Sequence, residues 1–334
     1  MGRRIERPRA DARGEFGLIA RFLAPLARDV PGAFGLLDDA ATLSVPAGHE
    51  LVVTTDALVA GVHFLPDDPP DLIARKLLRV NLSDLAAKGA KSFAYAMMLA
   101  LPARDDRFLA AFARGLKTDQ DRFGIRLIGG DTVRMPGPLT LSVTMFGLVR
   151  KGMMIRRDAA KPGDLVCVTG NIGDAGIGLA CLQHRAAGMS AADRKHFVSR
   201  YHVPEPRVDF GRALSGIAHA AMDVSDGLAA DLAKLCSASC VGAVLRMGDI
   251  PLSPALARLV QKAVGLRKDA MVAGDDYEIL FAVAPSRIEQ VLAVSRRTGV
   301  RVTIIGEVTK RRGLSVVDEA GRRVRPGRSG FEHF

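Results

Sequence analysis

The chain contains no tryptophan and three tyrosines, and its aromatic content is only 5%. Surfaces that grip single-stranded nucleic acid interleave aromatic stacking platforms with basic residues. No such interleaving appears here, and that decides how the formal net charge of +11 is read. Five arginines fall within the first thirteen residues, and Lys310, Arg311, Arg312, Arg322, Arg323, Arg325 and Arg328 crowd the other end. Without stacking partners these are solvated basic tails, so no nucleic-acid partner is expected. A basic surface also draws in polyanionic substrates.

Long apolar runs are missing as well. None reaches the ~18 residues that a membrane helix needs, so no membrane partner is expected. The opening Met1-Gly2-Arg3-Arg4-Ile5-Glu6-Arg7-Pro8-Arg9 has no apolar core of a secretory signal, and Glu6 and Asp11 argue against a transit peptide. The expectation is a cytoplasmic protein with a short disordered arm over residues 1–13. Cys167, Cys181, Cys236 and Cys240 follow no zinc or redox spacing, which predicts reduced thiols used as small apolar fillers.

Two chemistries lack their usual signatures. The seven histidines are scattered, with no Ser/His/Asp or Cys/His arrangement for covalent catalysis. Gly173 and Gly178 have the spacing of a phosphate loop, but Leu179-Ala180 stand where Lys-Ser/Thr is required, and the dinucleotide pattern is absent. The glycine-rich run from Thr169 to Gly178 therefore reads as tight packing or a dimer-proximal turn.

What the chain does have is a series of Asp-bearing stations: Leu37-Asp38-Asp39-Ala40, Thr54-Thr55-Asp56, Asn81-Leu82-Ser83-Asp84, Gly129-Gly130-Asp131-Thr132, Asp223-Val224-Ser225-Asp226-Gly227 and Gly274-Asp275-Asp276-Tyr277-Glu278. Most end an apolar run, where a strand gives way to a turn. Carboxylates and hydroxyls so placed suit hard divalent cations, which take oxygen ligands and bridge proteins to phosphate. Together they point to Mg²⁺-dependent phosphate chemistry.

Apolar periodicity places the stations on elements. A helix opens at Gly14-Glu15-Phe16-Gly17 and runs through Leu23. Strands are expected over residues 51–55, 93–99, 139–149, 165–169, 220–222 and 241–245. Helices are expected over 71–88, 105–123 and 228–236. Lys161-Pro162-Gly163-Asp164 is the clearest punctuation, and a domain boundary is expected near residue 150. Domains of 14–150 and 151–334 follow, each a mixed sheet covered by helices, an α+β or α/β fold.

Each station has a plain alternative. Ile73, Leu77, Val80 and Asp84 share one helix face. Asp84 therefore points into apolar surroundings that an unpaired charge tolerates poorly; a metal would compensate it, and so would an i,i+4 pair with Lys88. Thr54, Thr55 and Asp56 can converge on an ion or form a turn. The glycines before Asp131 admit a close phosphate. An N-cap explains one of Asp223 and Asp226 but not both. His63 follows the Asp56 station and is otherwise a surface residue.

Taken in order, Gly14-Glu15-Phe16, Thr54-Thr55-Asp56 with Val59-Ala60-Gly61-Val62-His63-Phe64, Asn81 to Ala87, Gly129 to Thr132, Asp223 to Leu228 and Gly274 to Glu278 resemble the thiamine-monophosphate kinase family. The resemblance runs from about residue 14 to the end. It implies the two-domain aminoimidazole ribonucleotide synthetase-like fold, which binds ATP without a phosphate loop of the Walker type. It implies a homodimer formed through N-terminal domains, an active site in a cleft between domains, and transfer from ATP to thiamine monophosphate. By position, Asp39, Thr54, Thr55, Asp56, Asp84, Asp131, Asp223 and Asp226 resemble the ligands of several Mg²⁺ ions. Gly130, Asp131, Arg157 and Ser225 resemble ATP contacts, and His63, Asp275 and Phe331 resemble substrate contacts. Asp56, Asp84, Asp131 and Arg157 would carry catalysis. Three positions depart from the family pattern: Leu37 replaces a glycine, Asp275 a longer glutamate, and Phe331 is an aromatic that stacks but cannot donate a hydrogen bond. A sister amidine- or selenophosphate-forming ATPase would share the stations. Selenophosphate synthetases, however, carry a reactive Cys or Sec near the N-terminus, and the first cysteine here is Cys167.

Overall fold

A computed structural model describes residues 14–325 apart from positions 187 and 264. The basic arm of residues 1–13 and Phe331 therefore lie outside the described residues. By its contacts the chain divides into two units. Among the described residues, one comprises 14–47, 53–81 and 92–147, and the other 48–52, 82–91 and 148–325.

The first unit is built around four strands. In chain order come α1 (Glu15–Leu18), β1 (His49–Val59), α2 (Pro70–Ala87), β2 (Lys91–Leu101), α3 (Asp106–Phe123), β3 (Arg126–Arg134) and β4 (Thr140–Arg150). The sheet order is β1-β4-β2-β3, with β2 and β3 parallel. Strand alternation sorts β4 cleanly. Leu141, Val143 and Met145 are buried, whereas Ser142, Thr144 and Phe146 are only half-buried. The helix expected from Gly14 to Leu23 is α only as far as Leu18. It continues as a π turn over Ile19–Leu23 and a 3₁₀ turn over Ala24–Ala27, where Pro25 cannot donate the helical hydrogen bond.

Helix α2 is buried nearly all round, not amphipathic. Alongside Ile73, Leu77 and Val80, the charged Lys76 and Arg79 are only 2% and 1% exposed. Each has a partner that offsets desolvation. Arg79 pairs with the buried Asp119 of α3 at 2.6 Å, and the Lys76 ammonium donates to the His63 carbonyl at 3.1 Å. Helix α3 starts at Asp105, whose carboxylate accepts from Arg107 N and Phe108 N, and stops at Gly124, which takes the left-handed conformation.

The second unit holds β5 (Leu165–Thr169), α4 (Asp174–Leu182), α5 (Ala191–His202), α6 (Val208–Leu214), β6 (Ala220–Asp223), α7 (Leu228–Ala238), β7 (Gly242–Arg246), α8 (Pro254–Lys262), α9 (Leu266–Val272), β8 (Ile279–Val283), α10 (Ile288–Thr298), β9 (Val302–Thr309), β10 (Gly313–Val317) and β11 (Arg323–Val324). Its sheet order is β11-β10-β7-β9-β5-β8-β6. The sheet is mixed, because β10 and β7 are parallel while β5 is antiparallel to both β8 and β9. Strand β8 is apolar throughout because both its faces are covered. Leu280 and Ala282 pack with Leu228, Leu232 and Leu235 of α7, and Ile279, Phe281 and Val283 pack with Phe210 of α6 and Val291 of α10.

Cys167, Cys181 and Cys236 are buried free thiols, but Cys240 is exposed and fills no core. Burial alone pushes the Cys167 thiol up to about 12 and that of Cys236 to about 11, which leaves them inert as nucleophiles.

Candidate active site

In the first unit the stations sit on and beside the four-stranded sheet. Alternation along β1 sends the Thr54 and Asp56 side chains to one face and Thr55 to the other. The Thr55 hydroxyl is engaged there with the Val143 carbonyl at 3.2 Å and the Thr144 hydroxyl at 3.1 Å. Thr54 and Asp56 can therefore act as a side-chain pair, while the Thr55 hydroxyl points away from them. Asp39 is exposed in the segment after Leu36. Leu37 needs no glycine, since its φ is −108°. The left-handed residues are instead Phe34, Gly35 and Leu36.

Gly129-Gly130-Asp131 lies inside β3, not at its end. Gly130 pairs with Met97 of β2 at a φ of 152°, and a Cβ there would collide with the Met97 carbonyl. The neighbouring strand itself thus demands the second glycine, whether or not a phosphate comes near. Asp131 is exposed beyond it and accepts from Thr132 N at 2.8 Å. His63 is held on the turn after β1. Its Nδ1 accepts the Val59 N–H at 3.0 Å, which puts the proton of a neutral ring on Nε2.

The second unit gathers the rest. Asp223 ends β6, the last strand of the seven-stranded sheet, paired with Ile279, and is 7% exposed. Lys88 of the α2 C-terminus donates to the Ala221 carbonyl at 2.7 Å. Burial lowers its pKa to about 8, Arg157 adds to the shift, and Asp223, Asp84 and Asp158 oppose it. Asp84 and Asp223 thus both bear on one half-buried ammonium, which donates its hydrogen bond to the β6 backbone. The loop after Asp223 is fixed by a residue that sequence reading passed over. Asp231, buried in the first turn of α7, accepts from Ser225 N at 2.9 Å and Asp226 N at 3.0 Å. Burial raises its pKa despite the Lys234 ammonium beside it. Lys234 also holds the half-buried Asp226. Arg157 is exposed, one residue after the Arg156–Asp158 fork begins.

The last station is the most constrained. Asp275 and Tyr277 have φ of 69° and 51°, and Asp276 and Glu278 are buried behind them at 1% and 0% exposure. Asp276 accepts from Gly173 N at 2.8 Å; burial holds its carboxyl well above the ordinary range. The glycine-rich run serves close packing. Added Cβ atoms would strike Glu278 from Gly170, Ala270 from Gly173 and the Phe197 carbonyl from Gly178.

Every implied ligand is an oxygen donor, which fits a hard cation such as Mg²⁺. Among the described residues no three His, Cys, Asp or Glu side chains already gather as a metal site. A cavity of about 930 Å³ in the second unit, lined in part by His49, Lys91, Arg150, Arg212 and Arg297, contains none of the stations.

Residues 37–149 match the AIR synthase related protein, N-terminal domain, and residues 161–319 match its C-terminal domain. Over 330 residues the chain is 43% identical to the thiamine-monophosphate kinase of Caulobacter vibrioides, covering 98% of this chain and 92% of that one. The chain belongs to the thiamine-monophosphate kinase family. The crystal structure of thiamine-monophosphate kinase from Stenotrophomonas maltophilia K279a is similar, with TM-score 0.82 and 38% identity over 93% of this chain and 98% of that one. AaThiL complexed with AMPPCP and TMP is similar at TM-score 0.75 and 29% identity, over 96% of this chain and 97% of that one. For a thiamine-monophosphate kinase the two matched domains leave only residues 150–160 unassigned between them, immediately before Lys161-Pro162-Gly163-Asp164.

Proposed function

We propose that the chain transfers the γ-phosphate of ATP to thiamine monophosphate, forming thiamine diphosphate and ADP. The supporting observation is the 43% identity to a thiamine-monophosphate kinase across 98% of the chain. AaThiL, 97% of whose length this chain covers, is complexed with AMPPCP and TMP.

The chemistry explains why no general base stands out. A phosphate monoester has its second pKa near ~6, so the attacking oxygen is already largely deprotonated at neutral pH. The difficulty is electrostatic, because two polyanions must approach in line. Mg²⁺, when bound, supplies charge neutralisation at the transferring phosphates. The oxygen donors that match the family pattern, Asp39, Thr54, Asp56, Asp84, Asp131, Asp223 and Asp226, are the groups that would hold such ions. The Thr55 hydroxyl faces elsewhere, so its part in that set is the weakest supported. Gly130, Ser225 and Arg157 would contact ATP, and the Arg157 guanidinium can neutralise charge at the transferred group. His63 would offer its Nε2 proton to the substrate and Asp275 its carboxylate.

Four free cysteines suit a reducing cytoplasm, and no described helix is long and apolar enough to cross a membrane. A homodimer through the outward side of β1 fits Val53, 52% exposed there, and Thr55, exposed two residues on. The test is substitution. Asp56→Asn or Asp84→Asn should abolish thiamine diphosphate formation while leaving the melting transition in place. Near-normal turnover in either purified variant would sink the metal assignment.

A further inference from the structure

The segment from Gly274 to Glu278, which joins α9 to β8, is built as a strap with two different sides. Along its backbone it is tied to the Asp223 loop: Asp275 N donates to the Ser225 carbonyl and Tyr277 N to the Val224 carbonyl, each at 2.8 Å. Val224 N returns a bond to the Glu278 carbonyl at 2.8 Å. A Cβ on Gly274 would collide with the Ser225 carbonyl, so the approach is as close as glycine allows.

Two non-glycine residues in the left-handed region, Asp275 and Tyr277, are strained and persist only where the surroundings over-determine them. The over-determination comes from behind. Glu278 accepts from Arg207 Nε at 2.6 Å and Nη2 at 2.5 Å, from Arg200 Nη2 at 3.1 Å and from Thr169 Oγ1 at 2.8 Å. The bidentate guanidinium fixes the carboxylate plane as well as its position. Asp276 adds a second peg on Gly173 N.

The strained backbone brings the Tyr277 hydroxyl back to Asp275, where it donates to Oδ1 at 3.1 Å. The ring is 8% exposed, so this hydroxyl has little freedom to leave. One Asp275 oxygen is thereby held and the carboxylate rotamer is selected. The shortened side chain at 275 has one fewer torsion to restrain than a glutamate would have.

We propose that Tyr277 is a positioning residue that sets the Asp275 carboxylate for the thiamine monophosphate acceptor, on a strap pegged by Asp276 and Glu278. This rests on the reading of Asp275 as a substrate contact. Tyr277→Phe removes only the hydroxyl and keeps the ring that packs the strap. A hydrogen bond to a charged group is worth enough to change affinity about tenfold or more. Tyr277→Phe should therefore raise KM for thiamine monophosphate at least fivefold, with kcat, KM for ATP and the melting temperature close to wild type. Asp275→Asn should raise the same KM. The double variant should be no worse than the worse single one, since the two residues act as a unit. An unchanged KM in Tyr277→Phe, additive effects in the double variant, or an equal loss in KM for ATP would overturn the proposal. Wild-type protein that fails to phosphorylate thiamine monophosphate at all would overturn the functional reading, and the proposal with it.

Discussion

Replacing Asp231 with alanine strands the Ser225 and Asp226 backbone donors that it now satisfies and leaves Lys234 with one carboxylate fewer. An unsatisfied, partly buried donor costs about 1–3 kcal/mol, so Asp231→Ala should lower the stability of the chain by about 2 kcal/mol. Urea unfolding measures it, and a midpoint equal to wild type would remove Asp231 from the account. Glu278→Ala should cost more. It leaves Arg200 and Arg207 facing a vacated buried site, and breaking a buried pair on one side costs about 3–5 kcal/mol. A loss below about 1 kcal/mol in calorimetry would contradict the clamp described here. The sequence advertised the aspartates of the stations, because clustered carboxylates near glycine are visible in one dimension. It did not advertise Arg200 or Arg207, whose partner lies more than seventy residues away. Asp231 was hidden differently: five residues after Asp226, it reads as any acidic residue in the first turn of a helix.

At the scale of elements, periodicity located every expected strand and helix to within a few residues, and the misreadings have local causes. Most stations read as the ends of apolar runs, Gly129-Gly130-Asp131 among them. Instead β3 continues to Arg134 and uses Gly130 to pass under Met97. The apolar stripe that singled out Asp84 also loses force, since α2 buries Lys76 and Arg79 as thoroughly as its leucines. Asp84 stands out instead by its charge, which with that of Asp223 acts on the half-buried Lys88 ammonium. Close packing is the clearest role of the glycine-rich run. Gly178→Ala would push α4 from the Phe197 carbonyl of α5 and should destabilise by about 1–3 kcal/mol. A melting temperature at or above wild type would show that the two helices have room.

For the whole molecule, the two matched domains span residues 37–149 and 161–319, and the stations divide between both units. The apolar character of Val53 has no use inside the first unit, where β1 turns it outward at 52% exposure. If that face is the dimer contact, Val53→Asp should yield a monomer in sedimentation analysis; a wild-type sedimentation coefficient would place the contact elsewhere. Such a surface was not legible beforehand, because alternation in a strand shows two faces without saying which one the helices cover. Direct transfer from ATP to thiamine monophosphate is the proposed reaction. It is tested by following ³¹P resonances while purified protein is incubated with ATP, Mg²⁺ and thiamine monophosphate. Direct transfer gives thiamine diphosphate and ADP one for one, with no inorganic phosphate. ADP accompanied by inorganic phosphate and unchanged thiamine monophosphate would contradict it.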